Sequence, residues 1–353
     1  MAVSGITLRL DADRWREHLD VVAHATPGLV PVIKGNGYGH GLARLAAEAT
    51  RLGVDTIAVG TAPEVAAVRD AFAGDIVVLT PFRPDDDLAE LLLGDPRIVT
   101  TVSRLADLEA VARLSAAPRV VVEVLTSMRR HGIAPEDLPK LRPLLDQVDL
   151  QGWTIHLPLL AEGRYAEAER LARAALDVAP APLWLSHLPA DEAVALARQL
   201  GGAGGEPVPL RLRVGTWLWL GDASTRQTRA TVLDVHPVRR GERVGYRQRR
   251  IPADGWVVVV AGGTSHGIGL AAPTAAATVR QRAISVATGS LEAAGLALSP
   301  FTISGRKRWF IEPPHMQSSL VFLPQKATPP QVGDEVPVEL RLTTATADSV
   351  LSS

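Results

Sequence analysis

The sequence predicts an α/β protein: a (β/α)8 TIM-type barrel followed by a C-terminal β-rich domain. Three observations carry that expectation. Eight short β-branched runs alternate with Ala/Leu/Arg/Glu-rich stretches through the first two-thirds of the chain. The runs are near-continuously apolar, as parallel strands buried on both faces should be. After about Leu220 the long Ala/Leu patterns stop, and strand-like runs broken by Gly, Pro and charged turns take over.

The eight runs are LVPVIK from Leu29, DTIAVGT from Asp55, DIVVLT from Asp75, RIVTTVS from Arg97, RVVVEV from Arg119, GWTIHL from Gly152, PLWLSH from Pro182 and LRLRVG from Leu210. Eight strand–helix alternations are the count of a closed barrel. Between them, GLARLAAEATRLGV sets Leu42, Leu45, Ala46, Ala49 and Leu52 at helical spacing. RLADLEAVARLSA from Arg104 and AEGRYAEAERLARAALDV from Ala161 read the same way. GGAGGEPVP from Gly201 reads as a turn before the last barrel strand. The later strands are TRATVLDVHPV, ERVGYRQRR, GWVVVVAGG, KRWFIEPP, SSLVFLP and DEVPVELRLTT. TAAATVRQRAISVATGSLEAAGLAL, from Thr274, is open between a helix and an irregular excursion. The expected division is a barrel over 13–224 and a β domain over 225–353, with residues 1–12 supplying a strand that packs on the β domain.

Bulk composition narrows the function. The formal charge is -1 and the pI about 6.8, which gives no support for a nucleic-acid or anionic-membrane partner. Charged residues are 21% and mean hydropathy is +0.12, so the chain is not of the disordered class. It has no cysteine, which rules out disulfides, thiolate metal sites and a cysteine nucleophile. The histidines are scattered, with no spacing typical of a zinc site. No signal-peptide pattern and no membrane-spanning run stand out, so a cytoplasmic location is expected.

In such a barrel the active site lies at the carboxyl ends of the strands. Lys34 ends the first run, Arg130 follows the fifth, His156 sits late in the sixth, Ser186 and His187 end the seventh, and Arg213 lies in the eighth. A lysine amine beside cationic groups has a lowered pKa and can form a Schiff base. Pyridoxal phosphate needs such a lysine, phosphate-binding amides and a polar partner for its ring nitrogen. Composition alone does not choose that reading.

The order of motifs does. VIKGNGYGHG, VEVLTSMRRHGI, GWTIH and RVGTWLWLG follow one another as in the alanine racemase family, the fold type III pyridoxal-phosphate enzymes, which this chain resembles. The resemblance implies that Lys34 bonds to the cofactor and that Tyr38 contacts its phosphate. Thr126, Met128, Arg130 and Gly132 match the motif after the fifth strand, with Arg130 beside the phenolic oxygen. Glu123 stands where the family has an often carbamylated lysine. His156 matches a histidine near the cofactor ring. Ser186 or His187 stands for the Asn-Ser that serves the phosphate. Arg213 matches the arginine on the pyridine nitrogen, and Gly221 would offer a backbone N–H to the phosphate. A homodimer with shared sites and a small amino-acid substrate are implied.

The resemblance breaks in the β domain. The family has Gly-Tyr-x-Asp-Gly, whose tyrosine is the second base, contributed by the neighbouring subunit. Here the stretch is VVAGGTSHGIG, so Thr264 replaces the tyrosine and His266 the aspartate. A threonine hydroxyl cannot serve as that base, whereas an imidazole is a common acid–base group, so His266 is the expected substitute. Racemisation is the leading expectation. A lyase or decarboxylase on the same cofactor, a non-catalytic or regulatory pyridoxal-phosphate-binding protein, and a barrel that has lost the cofactor are the rivals.

Overall fold

The computed structural model describes residues 4–159, 162–201, 205–270 and 297–353. It divides into two compact units: residues 16–221, and the chain start up to Trp15 together with 222–353. The first strand, β1 (Ile6–Leu10), belongs to the second of these.

In the unit spanning 16–221, eight parallel strands close in chain order: β2 (Leu29–Ile33), β3 (Thr56–Val59), β4 (Asp75–Val78), β5 (Ile98–Val102), β6 (Arg119–Val124), β7 (Asp149–His156), β8 (Leu183–Ser186) and β9 (Leu210–Val214). The closing pair is β2 with β9, with Val30 opposite Arg213. All eight expected strands are present; most are apolar on both faces, while β9 carries Arg211 and Arg213 on one of its two. One face fills the barrel with Val30, Val32, Ala58, Val77, Val99, Val121 and Trp184. The other face packs Val120, Val122, Ile155 and Leu185 against helical Leu108, Leu171 and Leu196. Each such side chain, fully buried, contributes about 1.5–3 kcal/mol. The helix Leu42–Arg51 buries Leu45, Ala46 and Ala49, and the helix Arg164–Leu176 buries Ala168, Leu171, Ala172 and Ala175. Both follow the three- and four-residue spacing read from the sequence.

The other unit is built on β10 (Arg226–Val238), β11 (Arg243–Val244), β12 (Arg249–Arg250), β13 (Gly255–Ala261), β14 (Leu298–Ile303), β15 (Arg306–Phe310), β16 (Ser318–Pro324), β17 (Glu335–Pro337) and β18 (Ser349–Ser352). The main sheet runs β14-β15-β16-β13-β10-β1-β18, with β17 also on β10 and β11–β12 a separate hairpin. The thirteen-residue β10 carries a bulge between Val232 and Asp234 and so serves several partners. Val232, Val258, Val260, Phe301, Val321 and Leu323 form the core. β1 pairs antiparallel with β10 and parallel with β18.

DEVPVELRLTT yields only the three residues of β17, ending at Pro337, which has no N–H to extend a ladder. β14 and β18 were not expected from the sequence, since Pro300 interrupts one and serines flank the other. The stretch from Thr274 lies outside the described residues up to 296. No described helix is long and apolar enough to cross a membrane.

Candidate active site

Side chains two apart on a strand share a face. The barrel-filling series Val30 and Val32 of β2 therefore points on to Lys34, just past the strand end. Val121 of β6 leads to Glu123, and Trp184 of β8 leads to Ser186. Register aligns Glu123 with Thr154, His156 with Ser186, and Val30 with Arg213. Strand periodicity alone thus gathers Lys34, Glu123, His156, Ser186 and Arg213 at one end of the barrel.

Positive φ recurs through the glycine-rich turn after Lys34, broken by Asn36 at φ -79° and His40 at φ -91°. Gly35, Gly37, Gly39 and Gly41 all have positive φ, and so does Tyr38, at 54°. A non-glycine residue there costs roughly 1–2 kcal/mol, which the burial of the tyrosine ring offsets. The Tyr38 hydroxyl reaches Gly215, where an added Cβ would lie only 2.3 Å from it. Beyond Gly215 the short helix Thr216–Leu220 is pinned by Trp219 Nε1 donating to the Val32 carbonyl at 2.8 Å. Burial first, and then the Glu64 charge, push the Tyr38 phenol up to about 12, so it remains an O–H donor. The Glu64 carboxylate is itself held by the backbone N–H groups of Gly35 at 2.9 Å and Gly60 at 2.7 Å.

Lys34 is exposed as a residue, yet its amine lies deep enough for desolvation to lower its pKa, with Arg130 and Arg213 adding to the effect and Glu64 opposing it. Arg213 is half-buried, but its Nε and Nη2 are sealed from solvent and have no hydrogen-bond partner among the described residues. Burial pulls its pKa down to about 10, while buried Glu123 raises it and Arg130 lowers it. Arg130 is exposed, on a loop closed by Leu125 N–H to the Ile133 carbonyl (2.9 Å) and Ile133 N–H to the Glu123 carbonyl (2.8 Å).

Burial, followed by the charges of Arg213 and Arg130, drives the His156 pKa down to about 3. Its ring packs on that of His187 with centroids 4.9 Å apart. His187, at φ 63°, donates from Nδ1 to the Leu157 carbonyl at 2.8 Å, and burial lowers its pKa despite that bond. Both imidazoles face the cations uncharged at neutral pH. The unfolded chain, with His156 near its ordinary 6.5, binds more protons than the folded one between about pH 3 and 6.5. Stability therefore rises with pH across that window and is lost as pH falls. The urea midpoint should drop from about pH 7 to pH 5, and drop less in His156→Gln. Equal slopes for the two proteins would contradict the assignment.

Two expected positions are otherwise engaged. Gly221 closes the helix Thr216–Leu220, where an added Cβ would meet the Trp217 carbonyl oxygen at 2.4 Å and His18 Nε2 at 2.5 Å. The glycine at the Tyr38 hydroxyl is Gly215, which carried no role in the sequence reading. His266, in the β unit, is 7% exposed and engaged at both ring nitrogens. Nδ1 accepts from the Gly263 N–H at 3.3 Å, and Nε2 bonds Asp348 Oδ1 at 3.0 Å. Asp348 Oδ2 in turn accepts from the Ile6 N–H at 2.7 Å. An imidazole committed in this way braces the 263–267 turn against the chain end. It is poorly suited to the acid–base role expected from its sequence position.

The profile of the family described as "Alanine racemase, N-terminal domain" matches residues 10–194, more than half of the chain. The chain belongs to the alanine racemase family. The match includes Lys34, Tyr38, Arg130, His156, Ser186 and His187, and stops short of Arg213, Gly221 and His266. An alanine racemase of Nitratidesulfovibrio vulgaris is 30% identical over 293 residues, covering 74% of this chain and 76% of that protein. One of Mycobacterium tuberculosis is 33% identical over 150 residues, covering 40% of this chain and only 38% of the relative's own length. Among solved structures, alanine racemase from Bartonella henselae with covalently bound pyridoxal phosphate matches with a TM-score of 0.73 at 16% identity, covering 99% of this chain and 100% of that one. A Clostridium difficile 630 alanine racemase matches with a TM-score of 0.69 at 17% identity, over 96% and 87%. At these identities the likeness is one of fold: barrel plus β-rich domain.

Proposed function

We propose that this chain is a pyridoxal-phosphate-dependent racemase acting on alanine or a related small amino acid by proton removal and return at the alpha carbon. The observation that carries the reading is Arg213. A buried guanidinium with two nitrogens lacking acceptors is costly to leave so. A heteroaromatic ring nitrogen would supply an acceptor. The other residues suit the same group. Lys34 would hold it covalently, Tyr38, Ser186 and the backbone at Gly215 would hold its phosphate, and Arg130 its phenolic oxygen. His156 and His187 would line the ring, uncharged among the cations. When bound, pyridoxal phosphate supplies an electron sink for charge at the alpha carbon.

Arginine stays protonated, so Arg213 would donate a hydrogen bond without giving up a proton. That restrains the sink and favours simple proton return over elimination. Lys34, its pKa lowered by burial and by the two arginines, would take up or release a proton at Nζ. The family resemblance extends the proposal to a cytoplasmic homodimer whose β unit completes the neighbouring subunit's site. A non-catalytic cofactor-binding role has one observation in its favour, the loss of the tyrosine at Thr264 with His266 held structurally.

The test is to load the protein with pyridoxal phosphate and incubate it with L- and D-alanine, and with other small amino acids, in deuterated water. Deuterium at the alpha carbon and inversion from either enantiomer are expected. A fully loaded protein that exchanges and inverts none of them would sink the racemase reading in favour of the binding role.

A further inference from the structure

A lysine stem in solvent samples many rotamers, and fixing it costs conformational entropy. Lys34 is exposed, so its stem needs direction from the loops around it. The loop after β3 is placed to give that direction. Ile33 of β2 lies opposite Val59 of β3, and the two chains carry on past their strand ends as Lys34 and Gly60. A Cβ added at Gly60 would lie 3.0 Å from Lys34 Cβ and 3.0 Å from Glu64 Oε2. Gly60 is not one of the positive-φ glycines. What opposes a larger residue there is the lysine stem on one side and the Glu64 carboxylate on the other.

That carboxylate spans two loops. Oε2 accepts the Gly60 N–H at 2.7 Å and the Thr61 N–H at 3.4 Å, which caps the turn Ala62–Glu64 on its own element. Oε1 reaches across to the Gly35 N–H, directly after Lys34, at 2.9 Å. A group serving only as a cap would need no such contact. Hydrogen bonds to a charged acceptor are also the strong ones. On the same stretch the Lys34 carbonyl accepts the Gly37 N–H at 3.1 Å. The other groups that face the amine are the cations Arg130 and Arg213 and the uncharged rings of His156 and His187, while Glu123 acts on Arg213. Glu64 is the anion that opposes those cations at Lys34.

We propose that Glu64 and Gly60 are positioning residues for Lys34: the carboxylate ties down the chain on either side of the stem, and the glycine leaves the channel through which the stem reaches the barrel mouth. This inference deepens the racemase reading and takes the role of Lys34 from it. The two residues differ in kind. Glu64 supplies both place and charge, whereas Gly60 supplies place alone.

Two measurements on the full chain test this. The first needs no cofactor. In protein labelled with 13C-lysine, NMR relaxation should show the Lys34 methylenes restrained relative to those of exposed Lys326, and freed in Glu64→Ala. The Lys34 pKa should fall in Glu64→Ala and Glu64→Gln and stay in place in Gly60→Ala. The second follows attachment of added pyridoxal phosphate to Lys34 by borohydride trapping and peptide mass. Gly60→Ala should slow attachment about 10-fold or more, with its pH midpoint unchanged. Glu64→Ala should slow the plateau similarly and move the midpoint to lower pH. A Lys34 stem as mobile as Lys326 in wild type would overturn the proposal, and so would wild-type attachment rates in both alanine variants. If wild type attaches no cofactor at Lys34, the racemase reading fails, and the relaxation data decide the positioning claim by themselves.

Discussion

Replacing Lys34 by alanine is expected to abolish the visible absorption of the cofactor-loaded protein and to cut racemisation by roughly 10³-fold or more. Lys34 is the residue to which strand periodicity, the glycine-rich turn and the neighbouring cations converge. Its amine has a lowered pKa, from burial first and from Arg130 and Arg213 next, so it can give up its proton more readily than a surface lysine. Arginine at this position should fail as well, because it keeps its charge and offers no free amine. The fold should survive, since Lys34 is exposed and lies past the end of β2. A thermal midpoint close to wild type, alongside lost absorption, is the signature to look for. A milder variant probes the same group. Glu64 raises the Lys34 pKa, so Glu64→Gln should lower it further and shift the acid limb of the pH–rate profile to lower pH. Retained absorption in Lys34→Ala would place the covalent attachment elsewhere. A shift to higher pH in Glu64→Gln would contradict the electrostatics described above.

The barrel was legible because burial on both faces leaves a compositional trace that needs no knowledge of partners. LVPVI, IVTTV and RVVVEV are strands by their residues alone. The glycine turn was legible for a related reason: four residues at positive φ leave little choice but glycine. Tyr38, the non-glycine exception in that turn, is the one whose ring is buried and whose hydroxyl reaches Gly215.

What the sequence hid depends on distant neighbours. Gly215 and Gly221 both sit in RVGTWLWLG, and only the packing of Tyr38 against one and His18 against the other tells them apart. His266 looked available because its partner Asp348 lies 82 residues away, near the chain end. Glu312 and His315 stood inside IEPPH, two prolines apart, with no periodicity to mark them. What fixes the Glu312 carboxylate is the backbone of Tyr246 and Arg247, more than sixty residues earlier. β14 and β18 escaped notice because their strand character comes from β15 and β1 rather than from their own residues.

Arg213 is where stability and function should come apart. Arg213→Met is expected to reduce racemisation by at least about 10²-fold, through loss of the donor at the ring nitrogen. It also removes the cation whose field meets buried Glu123, so the single variant should lose about 1–3 kcal/mol of stability in urea titrations. That loss has a cause unrelated to the reaction, and a second substitution isolates it. Adding Glu123→Gln removes the stranded charge, and removing opposite charges from an interior together is often neutral or stabilising. The double variant should therefore recover most of the lost stability and none of the lost activity. If activity returned with stability, Arg213 would be a scaffold residue and the ring-nitrogen assignment would fall. If neither returned, Glu123 would answer to some group other than Arg213. Two buried guanidinium nitrogens without acceptors add nothing to a fold that could have placed an apolar side chain there. Their presence at the mouth that also holds Lys34 is most simply accounted for by a ligand that brings the acceptor with it.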